Sequence, residues 1–269
     1  MPVSIRSILL VACCVAIVAP AAHAASASSS PADATDKHIY AGQVDLATNL
    51  WGIRGAGSGW SAAIFTNADA NMDGASYSWS GFGGDGNSVK AYPSLRIGTS
   101  NRHNDPAASG LPYRFGGNAT NVDVAWDFTV DGIAGKYNHT LDVFFNAPAS
   151  SGQAGIRGEI MVITDSSQDA RTAGWGARDA EPFVVGGATW EVWQATQKSN
   201  GYSWHVTQFR KRRGSTHFHH NLRDFFAEAA ARRPDIFQSG DNVMMVEAGT
   251  EIKSGAGRVT TARFSVDVH

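Results

Sequence analysis

The sequence predicts an all-β protein: a two-sheet β jelly-roll sandwich with one short α-helix packed on the outside. Three observations carry this. Short runs rich in β-branched and aromatic residues recur along the chain, broken by clusters of Gly, Asn, Asp and Pro. Residues 122–130 alternate, with Val122, Val124, Trp126 and Phe128 on one face and Asp123, Ala125, Asp127 and Thr129 on the other. One stretch, residues 221–233, repeats its apolar residues at helical spacing. Many short strands with turn-rich links suit two packed sheets.

The chain opens with an export signal. Arg6 supplies the positive start, residues 8–18 the apolar segment, and Pro20-Ala21-Ala22-His23-Ala24 an A-x-A cleavage site, so a signal peptide ending at Ala24 and a secreted product are expected. The apolar run is too short to span a bilayer comfortably. Residues 10–13 resemble a lipoprotein box ending at Cys13, but the apolar segment continues past that residue, which favours simple removal. Both cysteines, Cys13 and Cys14, lie in this segment, so the remaining chain can form no disulfide, thiolate metal site or cysteine nucleophile. Residues 25–37, rich in Ser, Ala and Pro, read as a disordered leader. Residues 38–269 show no second composition break and no repeat, and read as one domain large enough to stabilise itself by burial. The 22 Lys and Arg nearly balance the 24 Asp and Glu, which argues against nucleic-acid and anionic-membrane partners.

Strand signals follow in order at residues 44–51, 61–65, 76–79, 88–97 (bent at Tyr92-Pro93), 122–130, 140–145, 159–164, 183–185, 190–194, 204–209, 243–248 and 259–268. In the helix, Asn221 is a fitting N-cap, Leu222, Phe225, Phe226 and Ala229 share a face, and Pro234 stops it.

Two strands carry acids among apolar neighbours. Glu159 leads Ile160, Met161, Val162 and Ile163, and Glu247 and Glu251 lie in and after the run 243–248. An acid in such a setting either faces solvent by alternation or lies buried and must be paired or opened onto a cleft. Two acids on two strands of one sheet is the arrangement that glycoside hydrolysis needs. Within a regular strand Glu247 and Glu251 share a face, and the residues alone do not choose between them. Asn49-Leu50-Trp51-Gly52 could form a sugar platform, the indole stacking on pyranose C–H groups and the amide bonding a hydroxyl. Core packing is the competing reading for Trp51 and Trp79, and the favoured one for Trp126. Asp127 is either a buried acid in need of a partner or a solvent-facing one. His217, His219 and His220 cluster without a carboxylate or cysteine at metal-site spacing, and read as a surface loop, not a metal site. The sequons at Asn118 and Asn138 are short enough to arise by chance.

Together these pieces resemble glycoside hydrolase family 12, the endoglucanase and xyloglucanase family, in order from about residue 40 to the end. Asn49-Leu50-Trp51-Gly52 matches the family's "NLWG", Val89-Lys90-Ala91-Tyr92-Pro93 its "VKSYP", and Ala248-Gly249-Thr250-Glu251 its "AGTE". Val124-Ala125-Trp126-Asp127-Phe128 is similar to "VAYDLF", Glu159-Ile160-Met161-Val162 to "EIMIW", and Asp224-Phe225-Phe226 to the "KDFF" helix, while Phe264-Ser265-Val266 resembles the closing strand.

The resemblance implies a concave jelly roll with a substrate cleft across one sheet. It makes Glu159 the nucleophile, Glu251 the acid/base and Asp127 the residue that holds Glu159. Asn49 and Trp51 would line the glycone subsites and Met161 would flank the nucleophile. The family's Trp after "EIM-x" is Ile163 here, and the following Gly-Pro-Ile-Gly loop is replaced by residues 166–178, where Gly174-Trp175-Gly176 is the substrate-like element. The expected activity is retaining hydrolysis of β-1,4-glucosidic bonds in β-glucan by a monomer, with no metal or organic cofactor. A non-catalytic carbohydrate-binding sandwich is the rival; it would keep the tryptophans without requiring paired acids.

Overall fold

Alternation decides which way each strand faces, and the pairing of strands decides what the faces meet. The computed structural model describes residues 24–66, 72–84, 86–99, 104–117, 121–147, 152–167 and 175–269. The signal segment before residue 24, the Asn118 sequon and Gly174 lie outside the described residues. In chain order the elements are β1 (Ala25–Ser29), β2 (His38–Ala41), β3 (Val44–Ala47), β4 (Ser61–Thr66), β5 (Ser76–Phe82), β6 (Ser94–Gly98) and a one-turn helix α1 (Pro106–Ser109). Then come β7 (Tyr113–Arg114), β8 (Val122–Ala134), β9 (Tyr137–Asn146), β10 (Ile156–Ser166), β11 (Ala177–Arg178) and β12 (Phe183–Val185). The chain closes with β13 (Ala188–Ser199), β14 (Tyr202–Lys211), β15 (His217–Asn221), α2 (Leu222–Arg232), β16 (Asn242–Ile252) and β17 (Gly255–Val268). No helix among the described residues is long and apolar enough to cross a membrane.

Two sheets form. The smaller has six strands in the order β1-β4-β5-β17-β8-β15; the larger has eleven, with the path β11-β13-β14-β10-β9-β16-β6-β3-β2 and β12 and β7 paired at its flanks. The pair β10–β14 is parallel, whereas β9 runs antiparallel to both β10 and β16. The core lies between the sheets. Val124, Trp126 and Phe128 of β8 meet Val143 and Phe145 of β9, Ile160 and Val162 of β10 and Phe209 of β14 in one buried cluster. Each fully buried side chain of this size contributes roughly 1.5–3 kcal/mol. The alternate residues of the large sheet, including Asp142, Glu159, Met161, Gln208, Glu247 and Glu251, therefore point to its other face, which is the face of the cleft.

Several sequence expectations change here. The leader is not disordered throughout: Ala25–Ser29 pairs antiparallel with β4 as the edge of the small sheet, and the Ser29 hydroxyl donates to the Thr35 carbonyl at 2.7 Å. Small and polar residues suffice for an edge strand because the ladder bonds come from the backbone. The histidine cluster is not a loop but β15, which pairs with β8 with His217 opposite Asp127 and His219 opposite Ala125. The expected strand 44–51 ends at Ala47, since Asn49 takes a left-handed φ of 43° that asparagine tolerates and a strand does not.

The helix α2 forms where expected. The Asn221 side chain accepts from the Arg223 N–H as its N-cap. Its apolar face turns into the sandwich: Phe225 packs edge-on against Phe209 and Trp190, and Phe226 against Phe145, with ring centroids 5.1–5.2 Å apart. It follows the edge strand β15 of the small sheet, so it extends the cover over the wider sheet.

Candidate active site

The cleft crosses the strands of the large sheet. It has a volume of about 940 Å³ and runs from Asn49 and Trp51, past Glu247, Asp142 and Glu159, to Gln208 and Trp175. Pairing registers give its floor a grid. One row reads Trp193–Gln208–Met161–Asp142–Glu247–Arg96–Asp45 across β13, β14, β10, β9, β16, β6 and β3. Glu159 lies one same-face step to one side, opposite Phe144 on β9, and Glu251 two steps to the other, opposite Asn138. Both acids thus flank the row and face the same space.

Each carboxyl has identifiable holders. The Trp204 indole N–H donates to Glu159 Oε2 at 2.6 Å. The Asn138 side-chain amide donates to Glu251 Oε2 at 2.9 Å. Asn138 is itself buried, so this amide serves the cleft rather than a surface glycan. Glu247 accepts from the Asn49 amide at 2.9 Å and from the Ser94 hydroxyl, with Arg96 at 3.9 Å; Arg96 in turn pairs with Asp45 at 3.2 Å. The Thr140 hydroxyl donates to Asp142 at 3.3 Å.

Burial dominates the electrostatics. It pushes the Glu159 carboxyl up to about 7; the Trp204 hydrogen bond opposes this, and the charges of Glu251 and Glu247 add to it. Burial pushes Asp142 well above the usual carboxylate range, helped by Glu159, Glu251 and Glu247. Glu247 is also raised by burial, against Arg96, Ser94 and Asn49. Each of these carboxyls is pushed up by burial first and then by the charge of the other acids, so the cluster disfavours carrying several full negative charges at once.

The structure brings Glu159, Glu251, Asn49, Trp51, Met161 and Trp175 into this one cleft. Trp51 and Trp175 are among the most exposed large apolar side chains, at 55% and 42%, as a stacking surface requires. Trp79 and Trp126 are buried in the core. Asp127 is not in the site. It lies on β8 of the other sheet, where His217 Nδ1 and His219 Nε2 contact it at 2.8 and 2.8–2.9 Å. Slight burial acts against it, but those hydrogen bonds hold its carboxyl below the usual range. The place beside Glu159 belongs to Asp142. Leu141-Asp142-Val143-Phe144 carries the same apolar–acid–apolar pattern as the stretch around Asp127, so the signal existed in the sequence. Only the pairing of β9 with β10 tells the two apart. Trp204, Asn138 and Arg96 left no comparable trace, because their roles depend on which strands neighbour theirs. Ile163 packs with Met161, Ala195, Trp204 and Val206 in a small apolar cluster on the cleft side. Among the described residues no three His, Cys, Asp or Glu side chains are placed to hold a metal ion.

Comparison with known proteins agrees with this geometry. The family model described as Glycosyl hydrolase family 12 matches residues 42–269. Endoglucanase S of Pectobacterium parmentieri is 28% identical over 247 residues, covering 90% of this chain and 88% of that protein. The native family 12 xyloglucanase of Bacillus licheniformis superposes with a TM-score of 0.77 at 24% identity, over 91% of this chain and 100% of that one. Endoglucanase Cel12A of Rhodothermus marinus gives 0.68 at 23% identity, over 91% and 99%. The matched span takes in every strand of the cleft floor together with both acid-bearing strands, and on that basis the protein is a glycoside hydrolase that belongs to glycosyl hydrolase family 12.

Proposed function

We propose that this is a secreted, retaining endo-β-1,4-glucanase acting on cell-wall glucans of the cellulose, mixed-linkage or xyloglucan type. The observation that carries it is the pair of acids on β10 and β16 opening onto one strand-crossing cleft lined by exposed tryptophans. Glu251 protonates the glycosidic oxygen as Glu159 attacks C1, so that the C1–O bond breaks and a glycosyl ester forms. Glu251 then takes a proton from water, which attacks C1 and frees Glu159. Asp142 positions Glu159 in the part first expected of Asp127. Asn49 acts through Glu247, Trp51 and Trp175 stack on sugars, and Met161 forms the floor beside the nucleophile. Direct attack requires carboxyl groups about 5–5.5 Å apart when substrate is bound. The chemistry needs only side chains, and a monomer contains all of them. Residues 1–24 direct export, which predicts an exported product starting at Ala25.

A non-catalytic carbohydrate-binding sandwich is the weaker reading, since a sugar platform gains nothing from burying Glu159, Asp142 and Glu247 at the cost their desolvation entails. The test is proton NMR of β-glucan hydrolysis with the Glu159→Gln and Glu251→Gln variants. The expected first product is the β-anomer. Glu251→Gln should lose about 10²–10⁴-fold on glucan, and less on aryl glycosides whose leaving group needs no proton. An α-anomer formed first rules out retention, and full activity in Glu159→Gln rules out the assigned nucleophile.

A further inference from the structure

A second, smaller cavity lies beside the cleft. Near the ends of β10 and β14, Ile163, Asp165, Ser166, Glu191, Arg210 and Arg212 help to line a smaller cavity of about 100 Å³. Arg210 walls both this cavity and the main cleft. In register, Glu191–Arg210–Ile163 forms the row beside Trp193–Gln208–Met161. A glucan lying in the cleft crosses the strands, so a cavity displaced along the strands sits beside that chain, where a branch would project.

We propose that this cavity receives a sugar substituent on the backbone glucose above Met161 and Ile163, and that Arg210 is the residue that recognises it. The inference rests on the β-glucanase reading above and specifies the substrate as a branched chain. The lining mixes the cationic donors of Arg210, Lys211 and Arg212 with the carboxylates of Asp165 and Glu191, which suits hydroxyl groups that both donate and accept. Arg210 is only 7% exposed, so its fork is held in place before substrate arrives and little side-chain entropy is lost on binding. Glu191 is steadied by Arg178 at 3.5 Å and Arg212 at 3.6 Å. Ile163 presents an aliphatic wall to sugar C–H groups.

The experiment compares xyloglucan with linear mixed-linkage β-glucan for wild type, Arg210→Met and Arg210→Lys, with melting curves to check folding. Arg210→Met should lower the ratio of kcat/KM on xyloglucan to that on linear glucan about tenfold, as loss of a charge-assisted hydrogen bond does. Arg210→Lys, which keeps the charge without the fork, should lower it less and carries the test if the Met variant unfolds. Wild-type products should include fragments in which the glucose beside the cut bears xylose. A ratio unchanged within about twofold in both variants, or wild-type cuts only beside bare glucose, overturns the side pocket while leaving hydrolysis intact. Failure of wild type to release reducing ends from either polymer overturns the functional reading itself.

Discussion

At the scale of single residues, the site is a group of buried acids whose roles are separated by their neighbours. Asp142 lies opposite both Met161 and Glu247 and is buried, whereas Asp127 sits in the other sheet with two histidines. Asp142→Asn should therefore reduce kcat by about 10²-fold through misplacement of the nucleophile. Asp127→Asn should leave the rate on the same glucan unaltered, and an equal loss in both variants would refute the assignment. The Trp204 indole favours the charged form of Glu159 against the effect of burial. Trp204→Phe removes that help, so the acid limb of kcat/KM, expected near 7 in wild type, should move to higher pH. A pH–rate profile checks this, and a limb that stays in place removes Trp204 from the mechanism.

At the scale of elements, β9 is the strand on which the cleft floor is centred. It lies between β10 and β16 and sets Glu159, Asp142 and Glu251 on one face. Gly249 shows how tightly that floor is built: a Cβ there would stand 2.3 Å from the Pro93 carbonyl oxygen, so the turn into β6 fits only against glycine. On the opposite face, α2 closes the core with Phe225 and Phe226. Phe225→Ala should cost about 3–5 kcal/mol, as deletion of a buried ring does, and Asn221→Ala about 1 kcal/mol by loss of the cap. Chemical denaturation of the two variants measures both, and a smaller loss for Phe225→Ala than for Asn221→Ala would mean that the helix is not part of the core.

At the scale of the whole molecule, catalysis and stability pull against each other. Glu159 in the folded chain has its carboxyl raised to about 7, from 4.5 when unperturbed. Between those values the folded state holds a proton that the unfolded chain has released, so stability falls as pH rises through that window. Gln at this position has no proton to lose. Glu159→Gln should thus gain stability over wild type as pH goes from 4.5 to 8, by up to about 3 kcal/mol at about 1.4 kcal/mol per pH unit. Melting temperatures of the two proteins across pH would show it, and a constant gap would mean that the proton sits elsewhere in the cluster.

By itself the sequence determined the strand-rich sandwich, the helix with its cap and the acid-bearing strands, because alternation, helical spacing and local motifs are properties of neighbours along the chain. It could not determine that Asp142 rather than Asp127 attends Glu159, that Trp204 and Asn138 hold the two acids, that Glu247 is tied to Asn49 and Arg96, or that Ala25–Ser29 is an edge strand. Those depend on which strands lie side by side and in what register. Backbone pairing is nearly indifferent to side-chain identity, so only the assembled sheet decides which acid meets which partner.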